Sequence, residues 1–203
     1  MTDLQAAPVL VCDFLGGTVG HRFRTEGARG NALARACGIA KGALPSVIDA
    51  TAGLARDAFM LAGLGVQVTL IERSPAVHAA LTSGLAAARA DPSAAQVVWR
   101  MTLLQGDSRR LLGELSADVV LVDPMHPPRG NTALVKQEMR SLRALVGDDP
   151  DAQDLMHAAL ACAKKRVVLK WPVRAPPMAG LRAPSHQIVG KTTRYDVFII
   201  SSS

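Results

Sequence analysis

Three apolar runs in this chain end on a carboxylate: Val47-Ile48-Asp49, Leu70-Ile71-Glu72 and Val120-Leu121-Val122-Asp123. Each reads as a buried strand ending in an acid, and the third, Val119 to Val122, is apolar throughout, as a strand covered on both faces should be. Helix-forming segments lie between such runs, and the loops joining them are short. Strand and helix in alternation give a parallel, doubly wound sheet with helices on both sides. In such a sheet the C-terminal strand ends open into one crevice, so acids placed there point at a bound ligand.

The expected order of elements follows from the same signals. A short strand at 9–14 is broken by Gly16-Gly17-Thr18-Val19-Gly20, and a basic helix at 28–38 stops at Gly38. Strands are expected at 46–49, 66–71, 98–104, 118–122, 166–170, 186–190 and 195–200. Helices are expected at 55–63, from Pro75 to about Arg89, at 108–114, near 132–144, and from about Asp148 to Ala163. Ser74-Pro75 is an N-cap followed by proline at the first helical position. The last two strands have no helix between them, which makes an antiparallel hairpin at the sheet edge. The expected fold is therefore α/β: a doubly wound, mostly parallel seven-stranded Rossmann-like sheet. Residues 1–40 read as an N-terminal extension and 41–203 as the main domain.

Composition limits the function classes. A chain of 203 residues, 49% hydrophobic and 20% charged, fits one globular domain with a small extension. No apolar run reaches membrane-spanning length, and Met1 to Pro8 lack the pattern of a signal peptide, so a cytoplasmic protein with no membrane partner is expected. Cys12, Cys37 and Cys162 are far apart, which indicates buried thiols rather than a disulfide framework or a zinc site. The histidines show no metal-binding spacing, so no metal is expected. The net charge of +6 favours a polyanionic partner. Basic residues cluster around Arg22 and Arg29, around Arg129, Lys136 and Arg140, and around Lys165 and Lys170.

The loops after the strands carry the chemistry. Asp49-Ala50-Thr51-Ala52-Gly53 has a glycine where the backbone must approach a ligand, but lacks the G-x-G-x-x-G phosphate cradle. A cofactor without a pyrophosphate fits better than NAD, and S-adenosylmethionine is such a cofactor. Asp49 is placed to hold its cationic end. Arg56 and Asp57 open a helix whose N-terminus favours an anion such as the methionine carboxylate. Glu72 is placed to accept the ribose hydroxyls. Asp107-Ser108 stands where an adenine amine is bound, and also fits a helix cap. Asp123-Pro124-Met125-His126 resembles the [Asn/Asp]-Pro-Pro-[aromatic] motif of methyltransferases that act on nucleobase amines. An exocyclic amine is a poor nucleophile because its lone pair is delocalised into the ring. Two acceptors, the Asp123 carboxylate and the Pro124 carbonyl, can bind its N–H groups and aim the lone pair at a methyl group. His126 takes the place of the stacking platform for a flipped base.

Several longer segments bear a wider resemblance. They are Gly27-Ala-Arg29-Gly30, Val47-Ile-Asp-Ala-Thr-Ala-Gly-Leu-Ala-Arg-Asp57, Ile71-Glu-Arg-Ser-Pro75, Asp123-Pro-Met125 and Ala133-Leu-Val-Lys136-Gln-Glu138-Met-Arg140. Together they resemble the bacterial 16S ribosomal RNA guanine-N2 methyltransferases of the RsmJ type, over about residues 9–200. The resemblance implies the class I methyltransferase fold and S-adenosylmethionine as methyl donor. It implies 16S RNA, or the small ribosomal subunit, as partner. Cofactor contacts then fall on Arg56, Asp57, Glu72, Arg73, Asp107, Ser108 and Asp123. Apart from the resemblance, the basic clusters place RNA contacts on Arg22, Arg29, Arg129, Lys136, Arg140 and Lys170. Ala55 stands where the family usually has glycine, and Asp107 where it has serine. Other readings are a methyltransferase for a protein or small molecule, and a non-catalytic RNA-binding assembly module.

Overall fold

The computed structural model describes residues 10–16, 31–40, 42–125 and 151–201. Its helices are α1 (Ala32–Ala36), α2 (Arg56–Gly63), α3 (Pro75–Ala90), α4 (Ala95–Val98), α5 (Ser108–Leu111) and α6 (Ala152–Cys162). Its strands are β1 (Val47–Asp49), β2 (Val68–Glu72), β3 (Met101–Gln105), β4 (Ala117–Val122), β5 (Ala163–Pro172), β6 (His186–Val189) and β7 (Thr193–Ile199). The strands make one sheet in the order β3-β2-β1-β4-β5-β7-β6. From β3 to β5 all neighbours are parallel, and β7 runs antiparallel between β5 and β6. The expected α/β class, mostly parallel sheet and edge hairpin are what the chain forms. The strand order reverses between β1 and β4, which is where such a sheet opens its ligand crevice.

Side chains alternate across a strand, so a strand covered on both faces must be apolar throughout. Val47, Val119, Leu121, Val168 and Val197 face a cluster with Leu33, Phe59, Leu61 and Leu81. Ile48, Val120, Val122, Val167, Leu169 and Phe198 face the other cluster, with Leu112, Met156 and Ala159. Each fully buried aliphatic or aromatic side chain contributes about 1.5–3 kcal/mol, so these two layers hold the sheet.

Local signals set the helix ends. Ser74 Oγ accepts from Val77 N–H, and Pro75 opens α3. Asn31 caps α1 by accepting from Leu33 N–H at 2.8 Å. Gly38 follows α1 with φ +74°. Arg166 of β5 donates to the Ala36 carbonyl at 3.2 Å, tying α1 to the sheet.

Two expected strands differ. The described part of 9–14 has no strand partner, although Cys12 and Phe14 are buried and Val11 and Asp13 are exposed. Its alternation is real, but the segment packs on helices instead of a strand edge. Phe14 stacks on Phe59 at 5.2 Å between ring centroids, and the Cys12 carbonyl lies so close to Gly84 of α3 that any Cβ there would collide. The strand expected at 98–104 begins only at Met101, because α4 takes Val98. Asp91 starts that helical turn by accepting from Ser93 N–H and Oγ. The helix expected near 132–144 lies outside the described residues. Among the described residues no helix is long and apolar enough to cross a membrane.

The segment after β5 is held by side chains. Trp171 Nε1 donates to the Pro176 carbonyl at 2.8 Å. Arg194 of β7 is buried, and its Nη1 donates to the carbonyls of Pro172, Val173 and Ala175. Its Nε bonds the buried Asp196 carboxylate at 3.0 Å.

Candidate active site

The loops after β1, β2, β3 and β4 are bonded to one another. Ala50 N–H donates to the Leu121 carbonyl, Ala52 N–H to the Ile71 carbonyl and Gly106 N–H to the Glu72 carbonyl. Thr51 N–H donates to Asp49 Oδ1 at 3.1 Å, and Thr51 Oγ1 accepts from Asp123 N–H at 2.7 Å. Ser108 Oγ donates to the Ala50 carbonyl at 2.6 Å. The acids therefore sit on a rigid frame. Gly53 has φ +51° and Ala55 has φ +53°, both left-handed. The second is the unusual one, because a Cβ resists that conformation, and glycine would adopt it without strain.

Two compartments open above this frame. One, about 550 Å³ including the space at its mouth, is lined by Gly53, Glu72, Arg73, Asp107, Ser108 and Asp123, with Ile71, Met125 and Leu155 as apolar walls. The other, about 1190 Å³ on the same basis, is lined by Asp49, Gly53, Arg56, Asp57, Asp123 and Pro124, with Lys170 and Trp171. Thr51, Gly53, Asp123 and Met125 line both. Asp123 thus stands at the partition. Arg22, Arg29, His126, Arg129, Lys136 and Arg140 lie outside the described residues.

Glu72 is buried, not a surface acid. Its Oε2 accepts from Gly53 N–H at 3.0 Å and its Oε1 from Ser74 N–H at 2.7 Å. Burial raises its pKa against these bonds. Its neighbour Arg73 reaches Asp151 at 3.0 Å. Asp107 caps α5 through Arg109 N–H and pairs with the Arg109 guanidinium at 2.6 Å, which lowers its pKa. Arg109 also reaches Asp151 at 3.2 Å, so α6 is pinned to the ends of β2 and β3.

The larger compartment holds a denser cluster. Lys170 Nζ lies 2.6 Å from Asp57 Oδ2 and 2.8 Å from Asp123 Oδ2. Burial alone would push the Lys170 ammonium down, but the two carboxylates together hold it well above the usual lysine range. Asp49 is buried, and burial followed by the charge of Asp57 pushes it up to about 7. Burial and Asp57 likewise push the Tyr195 phenol up to about 12. Arg56 and Lys170 balance Asp57 and Asp123, so Asp49 on ionising gives the compartment a net negative charge that suits a cationic ligand. No group of three or more His, Cys, Asp or Glu side chains among the described residues is arranged to hold a metal.

By its charge and its place in a basic cluster Lys170 is expected among the RNA contacts. The structure puts its ammonium between two acids of the crevice, where a phosphate would have to displace both. Arg109, Asp151 and Tyr195 were missed. None of the three carries a local signal, because Asp151 meets Arg73 and Arg109, and Tyr195 feels the charge of Asp57, only across segments distant in sequence.

The comparisons with known proteins agree with this architecture. Residues 1–200 match the family model described as "Putative SAM-dependent methyltransferase". The ribosomal RNA small subunit methyltransferase J of Agrobacterium fabrum is 65% identical, over 94% of this chain and 92% of its own length. The protein of the same name from Thioalkalivibrio sulfidiphilus is 52% identical, over 98% and 79%. The crystal structure of a SAM-dependent methyltransferase from Neisseria gonorrhoeae superposes with a TM-score of 0.76 at 34% identity, covering 97% of this chain and 76% of that one. With the sheet order, the acid-lined switch point and these likenesses in hand, the chain belongs to the S-adenosylmethionine-dependent methyltransferase family that includes the ribosomal RNA small subunit methyltransferases J.

Proposed function

We propose that this chain transfers a methyl group from S-adenosylmethionine to the exocyclic N2 of a guanine in 16S ribosomal RNA. The observation that carries the reading is the position of Asp123-Pro124, at the partition between a compartment suited to a nucleoside and one open to a substrate. When bound, the cofactor supplies an electrophilic methyl on a sulfonium. The smaller compartment fits the adenosine part. A carboxylate offers about four acceptor positions, so Glu72 keeps capacity for a ribose hydroxyl beside its bonds to Gly53 and Ser74 N–H. Ile71, Met125 and Leu155 offer an apolar slot for a flat ring. The carboxylates of Asp57 and Asp123, and that of Asp49 when ionised, are the groups that can meet the sulfonium and the ammonium.

The chain's own residues then orient the acceptor. The Asp123 carboxylate and the Pro124 carbonyl bind the two N–H groups of the amine and direct its lone pair along the line of transfer. No strong base is needed, because the nitrogen becomes acidic once it carries the methyl. His126 is the proposed platform for the flipped base. Arg22, Arg29, Arg129, Lys136 and Arg140 are proposed to contact RNA phosphates, so binding should weaken steeply with salt. On this reading residues 1–40 extend the methyltransferase domain of 41–203, and the enzyme works in the cytoplasm on the small subunit or its RNA.

The deciding experiment is incubation with labelled S-adenosylmethionine and small subunits lacking the modification. Label is expected in N2-methylguanosine of 16S RNA, and label in any other product would overturn the assignment. Glu72→Gln should weaken cofactor binding by about 10–100-fold, the worth of a hydrogen bond to a charged group. Calorimetry showing unchanged affinity would remove Glu72 from the site.

A further inference from the structure

We propose that Lys170 is a positioning residue for methyl transfer: its ammonium, shared between Asp57 and Asp123, fixes the orientation of the Asp123 carboxylate and keeps it ionised. The proposal rests on the reading of Asp123 as the acceptor of the substrate's amine.

The geometry is that of an anchor. Asp123 begins the loop after β4, and its side chain is 41% exposed at the mouth of the crevice. Lys170 and Asp57 lie deeper, at 24% and 19%. The inner pair, 2.6 Å apart, therefore holds the outer carboxylate from below at 2.8 Å. A carboxylate that must meet an amine in one orientation gains rate from being fixed beforehand. The strand pairing makes the anchor rigid, because Lys170 is paired across the sheet with Tyr195 in an unbroken antiparallel register from Arg166 to Pro172.

Charge gives the second part of the argument. Among the described residues, the charged or titratable groups of this cluster are Asp49 from β1, Arg56 and Asp57 from α2, Asp123 after β4, Lys170 from β5 and Tyr195 from β7, with the buried Cys37 thiol after α1, which burial keeps protonated. Two carboxylates that approach the same point resist ionising together unless a cation stands between them. Lys170 is that cation. A protonated Asp123 would lose acceptor capacity and could not take both roles asked of it.

The test compares Lys170→Met, Lys170→Arg, Asp57→Asn, the Lys170→Met/Asp57→Asn double variant and Asp123→Asn, each at saturating cofactor with undermethylated small subunits. Lys170→Met is expected to lower kcat about 30–100-fold and to change cofactor affinity less than about threefold. The acidic limb of its kcat–pH profile should move up by about one pH unit or more, because Asp123 and Asp57 are left facing each other. The double variant should bring that limb back towards wild type. Lys170→Arg should restore part of kcat, since it keeps the charge with a different shape. Wild-type kcat and pH profile in Lys170→Met, with Asp123→Asn impaired, would overturn the proposal alone. A lower kcat with an unmoved limb would also overturn it, as the mark of a structural role. Full activity in Asp123→Asn would sink the Asp123 reading itself. Should Lys170→Met fail to fold, Asp57→Asn still decides: its acidic limb should move down, and an unchanged limb refutes the anchor.

Discussion

Asp123→Ala should lower kcat by about a thousandfold or more at saturating cofactor, with the fold intact. The size follows from what is removed. The variant loses an oriented acceptor that acts when charge develops on the nitrogen, and one such group is worth about 10²–10³ in rate. Loss of alignment adds to this. The fold survives because the structural bond at this position belongs to the backbone: Asp123 N–H donates to Thr51 Oγ1 whatever the side chain. Lys170 is not orphaned either, since Asp57 remains 2.6 Å away. Cofactor affinity should fall by about tenfold at most, because the lost charge is at the crevice mouth and partly screened. Asp123→Asn should fall between, keeping one acceptor oxygen while turning a donor towards the amine. Steady-state kinetics with calorimetry checks the pair. An Asp123→Ala enzyme with more than a tenth of wild-type kcat would remove this carboxylate from the reaction.

The largest effect on stability is expected away from the acids that touch ligands, at Arg194. Its guanidinium serves three carbonyls, that of Pro172 at the end of β5 and those of Val173 and Ala175 just after it, and one buried carboxylate. In Arg194→Met those carbonyls lose their donor, and Asp196, 3% exposed, keeps Gln187 Nε2 at 2.7 Å as a partner but loses its counter-charge. Breaking a buried pair in this way costs about 3–5 kcal/mol, a large part of the 5–15 kcal/mol that holds a typical domain together. The melting temperature should drop by about 10 °C. Arg194→Met with Asp196→Leu should be milder than Arg194→Met alone, because no unpaired charge is then left inside. A drop below about 2 °C in the single variant would show that the clamp adds little. Activity should also fall, since Trp171 and Pro172, which line the larger compartment, belong to the segment that Arg194 holds.

The acids at the crevice were legible because the signal is local. An apolar run that stops at Asp49, Glu72 or Asp123 marks both a buried strand and the end that faces ligand, and the structure brings these residues to one crevice. Arg56 and Asp57 were legible for the same reason, at the start of a helix that follows a strand. The strand expected at 9–14 failed because alternation reports burial on one side, not pairing, and α3 supplied the burial through Gly84. Val98 has the signature of a strand yet lies in α4, because a β-branched residue beside an apolar run does not show which element buries it.

Lys170 marks the boundary between the two kinds of information. Its position in the chain is that of one more basic residue after Lys164, Lys165 and Arg166, and a count of charge assigns it to RNA. Periodicity, caps and chain order determined the strands, the helices, their alternation and therefore the fold class and the crevice. Which charges meet inside that crevice was decided by the tertiary structure: β5 lies beside β4, and α2 packs over the same face, so Lys170 comes within 3 Å of both Asp57 and Asp123, which lie on segments far apart in sequence. Electrostatic partnership depends on distance and burial in space, and neither is written in the spacing of residues along the chain.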